Sequence, residues 1–177
     1  MRIVSGKFKG KRIVAPRNLP VRPTTDMAKE ALFNILNNQY YFDQISVLDL
    51  FSGIGSICLE FSSRGATSIM AVDNHPGCVR FLEQTSDELA AGIEVIKSDV
   101  FKHLERTQAT FDVIFADPPY GIPEDQFIKI IDLVFERNLL ADDGTLIIEH
   151  GKKTDLSNQL RLIDSRKYGG NVFSFFQ

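Results

Sequence analysis

The chain has 177 residues, of which 44% are hydrophobic and 24% are charged, and its formal net charge is -3. This is the usage of one ordinary globular domain, and at this length folding buries roughly 70% of the surface that the unfolded chain exposes, which excludes a small scaffold that depends on disulfides or a structural metal. No run of about 18 apolar residues occurs, and no apolar segment follows the first positive charges, so we expect a cytoplasmic protein with no export signal and no membrane partner.

Positive charge is concentrated at the beginning of the chain. Residues 1–25 contain seven basic side chains and no acidic one, whereas the remaining 152 residues contain 13 basic and 23 acidic side chains. A basic segment joined to an acidic body is typical of a phosphate-binding appendage, although a merely solvated face has the same composition. The candidate nucleic-acid contacts are Arg2, Lys7, Lys9, Lys11, Arg12, Arg17 and Arg22.

The first predicted elements are a small basic hairpin and a helix. Residues 1–15 have the order of two short strands around a glycine-bearing turn. Helical spacing of apolar residues then predicts a helix from about residue 25 to residue 38, with Thr25 among its candidate N-caps. Three prolines interrupt regular structure between the two elements, and these are Pro16, Pro20 and Pro23.

From residue 45 onward, short apolar runs alternate with segments of helical spacing. The runs are 45–50, 68–72, 92–96, 111–116 and 145–149, and the helical segments are 54–64, 76–90, 100–107 and 124–138. Strands buried on both faces that alternate with helices specify a doubly wound parallel sheet. Residues 160–167 and 171–176 predict a closing hairpin around a tight turn.

The fold class that follows is α/β, with a Rossmann-like, seven-stranded, mainly parallel sheet and an antiparallel hairpin at its edge. We expect one domain over residues 1–177. Its parts are an arm over 1–23, an N-terminal helix over 24–40 and the cofactor-binding and catalytic sheet over 45–177.

In open sheets of this kind, ligands bind beyond the carboxyl ends of the strands. After the first strand stands a glycine-bearing turn that lets the backbone approach a ligand, and Asp73 with Asn74 follows the second strand, where a carboxylate can accept from a ribose diol. The place of the third glycine of a dinucleotide fingerprint is taken by Cys58. The candidate residues of the turn are Asp49, Phe51, Ser52, Gly53 and Gly55.

The third strand is followed by Asp99, Val100 and Phe101. An aspartate here can accept from the exocyclic amine of adenine, while the next backbone N–H groups donate to a ring nitrogen. The same aspartate is an equally good N-cap for the next helix, and both roles are compatible.

The fourth strand leads into Asp117, Pro118, Pro119 and Tyr120. Consecutive prolines fix the backbone and donate no hydrogen bond, so nearby carbonyls remain as aimed acceptors. Together with the carboxylate and the flat ring, they describe a pocket for a planar amino group such as that of a nucleobase. A rigid exit turn is the alternative.

The histidines and cysteines have simpler interpretations. His75, His103 and His150 lack the spacing of metal ligands, and we interpret them as surface or turn residues. We expect no metal. Cys58 and Cys78 are expected to be small buried hydrophobes. Residues 149–151 end the fifth strand near the expected site, where a role stays open.

These motifs resemble those of the class I S-adenosylmethionine-dependent methyltransferases that modify amino groups. The matching segments are VLDLFSGIGSICLE at 47–60, AVDN at 71–74, SDVF at 98–101 and DPPY at 117–120. The segments MRIVSGKFKGKRI at 1–13, RPTTD at 22–26, KEALFNIL at 29–36 and the closing RKYGGNVFSFF are similar to the RsmD-type enzymes, which methylate guanine N2 in 16S ribosomal RNA. Met27 departs from the basic residue usual in that family after RPTTD.

The resemblance implies a role for each matched residue. Asp49, Phe51, Gly53 and Gly55 would line the methionine end of S-adenosylmethionine, Asp73 and Asn74 the ribose, and Asp99 with the Val100 or Phe101 amide the adenine. Residues 24–26, including Thr25, would close over the cofactor. The target amine would meet Asp117 and the Pro118 carbonyl, and Tyr120 would stack on the flipped base.

The same pocket chemistry suits other methyl acceptors, namely adenine N6 in DNA or RNA and a protein glutamine. A different class of alternative is a non-catalytic RNA-binding assembly factor that keeps the fold. The expected partner is ribosomal RNA, with an assembled small-subunit particle as a plausible substrate because a small chain offers few surfaces for reading bases. We expect the chain to act as a monomer.

Overall fold

The computed structural model describes residues 1–19 and 24–177 of the chain. The predicted RNA contact Arg22 and the predicted breaks at Pro20 and Pro23 lie outside the described residues.

A seven-stranded sheet forms the centre of the protein, with the strand order β3-β2-β1-β4-β5-β7-β6. Strands β1 to β5 pair in parallel, whereas β7 pairs antiparallel with both β5 and β6. This confirms the predicted sheet and its antiparallel edge. The strands are β1 (Ser46–Leu50), β2 (Ser68–Asp73), β3 (Ile93–Lys97), β4 (Phe111–Ala116), β5 (Leu140–Gly151), β6 (Leu162–Tyr168) and β7 (Asn171–Phe176).

Within residues 1–19 and 24–177, five α-helices flank the sheet, close to their predicted positions. They are α1 (Asp26–Leu36), α2 (Cys58–Arg64), α3 (Pro76–Leu89), α4 (Val100–Arg106) and α5 (Glu124–Glu136), and a short 3₁₀ helix covers Phe42–Gln44. Helix α2 begins four residues later than predicted because the turn before it is longer. No helix within the described residues is long and apolar enough to cross a membrane.

Alternate side chains of the central strands enter two separate cores. Val47, Val113 and Phe115 pack with helices α1, α2 and α3 on one face, whereas Leu48 and Ile114 pack with α4 and α5 on the other. This is the alternation that a pleated strand imposes when helices cover both sides of a sheet. The polar carboxyl ends of the strands are therefore the natural place for a ligand.

The predicted N-terminal hairpin is reduced to a single antiparallel bridge between Arg2 and Arg12. The backbone amides of Val4 and Ser5 donate to the Glu60 carboxylate at 2.9 and 3.0 Å. These amides are therefore unavailable to a ladder, which is why two regular strands do not form. Ile3 and the neighbouring turn still pack on the core.

A buried charge network holds this segment in place. Glu60 is fully buried, its carboxylate lies 3.0 Å from the Arg64 guanidinium and 3.8 Å from Lys29 Nζ, and Lys29 is also buried. Lys29 donates to the Arg2 carbonyl at 2.6 Å. Burial lowers the pKa of Lys29, an effect that the Glu60 carboxylate opposes.

Replacing Glu60 by alanine is expected to destabilise the protein by about 3 to 5 kcal/mol, because it leaves Lys29 buried without its counter-charge. Urea denaturation measures the loss. The matched control is Glu105→Gln, which breaks a half-exposed pair with Lys129 at 3.4 Å and should change the free energy of unfolding by at most about 1 kcal/mol. Equal losses in the two variants would contradict the anchoring role.

Candidate active site

A cavity of about 640 Å³ opens at the carboxyl ends of β1, β2 and β4. Its size is in the range of small-molecule sites. The structure brings most of the predicted site residues together in its lining. These are Asp49, Phe51, Ser52, Gly53, Asp73, Asn74, Asp117, Pro118, Pro119 and Tyr120.

The turn between β1 and α2 is built from left-handed backbone. Phe51 has φ 59°, Gly53 has φ 53° and Gly55 has φ 83°, so the chain folds back sharply before α2 begins. A side chain at Gly55 would place its Cβ 2.4 Å from the Leu82 methyl group. Its left-handed backbone and its close approach to α3 thus both favour glycine at position 55, which does not line the cavity, whereas Gly53 does.

Asp73 at the end of β2 orders the next wall of the cavity. One of its carboxylate oxygens accepts from the Gly53 amide and the other from the His75 amide, both at 2.8 Å. The His75 side chain accepts from the Gly77 and Cys78 amides and so caps α3. The expected turn residue His75 is therefore a helix cap that also lines the cavity.

Asp49 is the most buried acid of the site, with 2% of its surface exposed. Its carboxylate accepts from the Cys58 amide at 3.0 Å, at the beginning of α2. Burial raises the pKa of Asp49 to about 7, although the hydrogen bonds from Cys58 oppose the shift. The neutral form of Asp49 is therefore favoured up to a much higher pH than in an ordinary aspartate.

Asp117 and Glu149 complete a set of three acids on adjacent strands. Asp117 lies two residues beyond Phe115, and Glu149 two residues beyond Ile147, so both return to the face on which Phe115 and Ile147 are buried. Burial raises the pKa of both groups, and for Asp117 the neighbouring Glu149 and Asp49 carboxylates raise it further. Together, the three acids favour the binding of a positively charged group or of N–H donors.

A hydrogen-bonded chain joins this acid set to distant parts of the sequence. Glu149 accepts from the Thr24 hydroxyl at 3.0 Å and from the Asn171 amide, and Asn171 in turn accepts from the Tyr120 hydroxyl at 3.2 Å. The Tyr120 ring is 69% exposed. It is thus held by its hydroxyl while most of the side chain is exposed.

Two buried hydroxyls in the cavity indicate that it is made for a polar ligand. The side-chain oxygens of Ser52 and Ser56 are buried and have no hydrogen-bond partner among the described residues. Buried polar atoms are rarely left unpaired. A ligand with both donors and acceptors fits a cavity that offers these hydroxyls beside Asp49 and Asp73.

Several predicted site residues are placed outside the cavity lining. The Asp99 carboxylate accepts from the Lys102 amide at 3.0 Å and caps α4, Val100 is buried in the core, and Phe101 lies beneath the Lys129 ammonium at 4.9 Å. The Thr25 hydroxyl caps α1 by accepting from Ala28 at 3.2 Å. Its neighbour Thr24 lines the cavity instead.

Most of the described basic residues of the N-terminal segment are exposed without an ion pair. Arg2 is the exception, since it pairs with Asp26 at 3.0 Å. The others are Lys7, Lys9, Lys11, Arg12 and Arg17.

Residues that the sequence did not identify complete the site. Apolar side chains and small groups close the cavity, and Asn171 joins Tyr120 to Glu149. The signal for Asn171 is only its position beside the glycines of the closing turn. The surface interpretation of His150 is wrong, because it is buried in β5 with Nε2 2.8 Å from the Ser174 hydroxyl. The further lining residues are Leu19, Ile54, Ser56, Ile57, His75, Cys78 and Phe115.

Comparison with known proteins gives consistent matches. The model of a family described as Conserved hypothetical protein 95 matches residues 1–177. The chain is 30% identical over 152 residues to the ribosomal RNA small subunit methyltransferase D of Escherichia coli, covering 84% of this chain and 74% of the relative. A hypothetical protein of Thermus thermophilus has a TM-score of 0.87 at 26% identity, and the match covers 100% of this chain and 99% of that one.

A more distant solved structure shares the fold. The 16S rRNA methyltransferase RsmC of Thermus thermophilus, in complex with AdoMet and guanosine, has a TM-score of 0.73 at 20% identity. The match covers 90% of this chain and 45% of that one. It confirms the Rossmann-like arrangement of the sheet.

Asp49→Asn is expected to remove a pH dependence from the stability of the free protein. The pKa of Asp49 is raised to about 7, so its stabilising contribution is complete below about pH 4 and disappears as the pH rises through 7. The asparagine oxygen can still accept from Cys58. Relative to the variant, the wild-type free energy of unfolding should fall by about 1.4 kcal/mol per pH unit in this window. Urea denaturation from pH 4 to 8 measures it, and a pH-independent difference would contradict the titration.

Proposed function

The chain belongs to the family described as Conserved hypothetical protein 95, and from that membership and its site we propose that it transfers a methyl group from S-adenosylmethionine to the exocyclic N2 amine of a guanine in small-subunit (16S) ribosomal RNA. The observation that carries the proposal is that residues 117–120, which are expected to accept the amine, line the same cavity as the residues expected to hold the cofactor. The name of the Escherichia coli relative supports the rRNA substrate.

The residues of the first cavity would hold the cofactor. Asp49 is placed to receive positive charge from the methionine end, and the unpaired Ser52 and Ser56 hydroxyls offer hydrogen bonds to its polar groups. Asp73 still has acceptor capacity for a ribose diol, because each of its oxygens has accepted only one hydrogen bond from the backbone. S-Adenosylmethionine, when bound, supplies the methyl group from a cationic sulfonium.

At the opposite wall, Asp117 and the Pro118 carbonyl would accept from the two N–H bonds of the target amine. The lone pair of a guanine amine is delocalised into the ring, so acceptors on both N–H bonds favour a pyramidal nitrogen with its lone pair directed away from them. Positioning of this kind can supply about 7 to 11 kcal/mol of the barrier. The methylated ammonium is strongly acidic, so no strong base is needed to remove its proton.

The raised pKa of Asp117 defines how this residue would act. In the free protein, burial and the neighbouring acids favour its neutral form, whose carbonyl oxygen remains an acceptor. A positive charge beside Asp117 favours its ionised form, and the proton then passes to solvent before the methyl transfer, so that a carboxylate faces the amine nitrogen as charge develops on it. Asp117 would therefore both orient the amine and stabilise the charge that forms on it.

The RNA would be held by surfaces outside the small cavity. The exposed cations of residues 7–17 are candidates for backbone contacts, while the largely exposed Tyr120 side chain would stack on the extruded base. The same proposal includes an assembled small-subunit particle as the substrate. It also includes that the protein acts as a monomer in the cytoplasm.

The test of this function compares acceptors in one assay. Radiolabelled methyl transfer from S-adenosylmethionine is measured onto protein-free 16S rRNA, assembled 30S subunits, DNA and protein, and the product is identified by nucleoside analysis. We expect label in N2-methylguanosine from rRNA or subunits. Label in N6-methyladenine or in glutamine, or no transfer at all, would overturn the proposal in favour of the other substrates or of a non-catalytic factor.

Asp117→Ala should lower turnover by about 100-fold or more while cofactor affinity is largely kept, because it removes one acceptor from the amine. Steady-state methyl transfer and calorimetric cofactor binding measure the two effects. Asp117→Asn is the matched control: it keeps an acceptor oxygen and should retain more activity than the alanine variant. Unchanged turnover in Asp117→Ala would remove this role.

RNA affinity should fall steeply with salt, whereas cofactor affinity should barely change, because contacts to RNA phosphates release counterions. Replacing Lys9, Lys11 and Arg12 by glutamine should flatten the RNA slope. These side chains are exposed, so the fold should be retained. Filter binding measures the RNA affinity and calorimetry measures the cofactor affinity, both at salt concentrations from about 50 to about 300 mM. An unchanged RNA slope in the variant would contradict the role of this segment.

A further inference from the structure

A second cavity of about 480 Å³ adjoins the first along residues 117–120. These four residues line both cavities, so the two spaces meet at this segment. The cofactor residues Asp49 and Asp73 line only the first cavity. The second space is thus open to a different molecule that meets the cofactor at the motif.

The charged residues of the second cavity differ in burial. Glu149 is buried and Asp117 is partly buried, whereas Lys152, Lys153 and Glu124 are exposed, and the Glu124 carboxylate accepts from the Asp155 amide. Among the described residues of its lining, the one other basic side chain is His150. Burial lowers the pKa of His150, so this group is neutral near pH 7. The space suits a ligand with N–H donors at one end and an anion at the other.

The lysine turn is held in position by the fold. It follows β5 directly, and the Thr154 amide donates to the Gly151 carbonyl at 3.1 Å. The Asp155 amide donates to the Glu124 carboxylate at 3.3 Å, which ties the end of the turn to the beginning of α5. The two ammonium groups therefore project from an ordered rim and not from an unattached loop.

We propose that this second cavity receives the target nucleotide, with its base amine directed towards Asp117 and the Pro118 carbonyl and a flanking backbone phosphate bound by Lys152 and Lys153. The inference rests on the proposed function and adds a phosphate-binding pair to it. A protein glutamine would offer the amide but no anion, so the pair distinguishes a nucleotide from a peptide acceptor. Lysine acts here as a compact cation for phosphate.

The test uses the double variant Lys152→Gln/Lys153→Gln and a control of equal charge change, Lys129→Gln/Lys167→Gln, whose side chains are exposed and line neither cavity. Methyl transfer to rRNA, or to subunits if those are the acceptor, is measured at several salt concentrations. The cavity variant should raise KM for the acceptor about tenfold, as expected for a lost charge-assisted contact. Its kcat and its affinity for S-adenosylmethionine should stay near those of the wild type.

A second measurement separates phosphate binding from general weakening. Guanosine and guanosine 3′,5′-bisphosphate are compared as inhibitors, and the wild type and the control should prefer the bisphosphate, whereas the cavity variant should lose that preference. If the wild type methylates rRNA but the cavity variant matches the control in both measurements, the inference is overturned while the proposed function stands. If the wild type transfers no methyl group to rRNA or subunits, both are overturned.

Discussion

The burial of three carboxyl groups at the ends of β1, β4 and β5 is the constraint on which the site depends. Adjacent parallel strands place Asp49, Asp117 and Glu149 on one face of the sheet, and the pKa of each is raised by burial. Desolvated acids of this kind are stable when protonated or when a cation or N–H donor replaces the water they have lost. A cationic cofactor and a target amine supply both kinds of partner.

Two further parts of the chain complete this arrangement from outside the sheet core. The N-terminal segment contributes Thr24 and the closing hairpin contributes Asn171, and both contact Glu149. Through Asn171 the network also reaches Tyr120. The antiparallel edge is therefore more than a border of the sheet, because Asn171 holds Tyr120 in the segment that lines both cavities.

Sequence patterns predicted the sheet and most of the cavity lining because both follow from local rules. Continuous apolar runs mark buried parallel strands, and polar residues directly after such runs converge at one edge. The pattern could not separate Gly53 from Gly55, since both have positive φ, but Gly55 packs against Leu82 whereas Gly53 lines the cavity. Nor could it find the Glu149 network, which joins residues up to 125 positions apart, or the Glu60 contacts that prevent a regular N-terminal hairpin.

Proton release on cofactor binding tests the account most directly. Calorimetry of binding near pH 7 in buffers of different ionisation enthalpy measures how many protons leave the complex. A bound cation lowers the pKa values of the neighbouring acids, so S-adenosylmethionine should release protons, and S-adenosylhomocysteine, which lacks the sulfonium charge, should release fewer. Proton uptake, or no difference between the two ligands, would contradict the assignment of Asp49, Asp117 and Glu149 as the groups that stabilise the positive charge of the ligand.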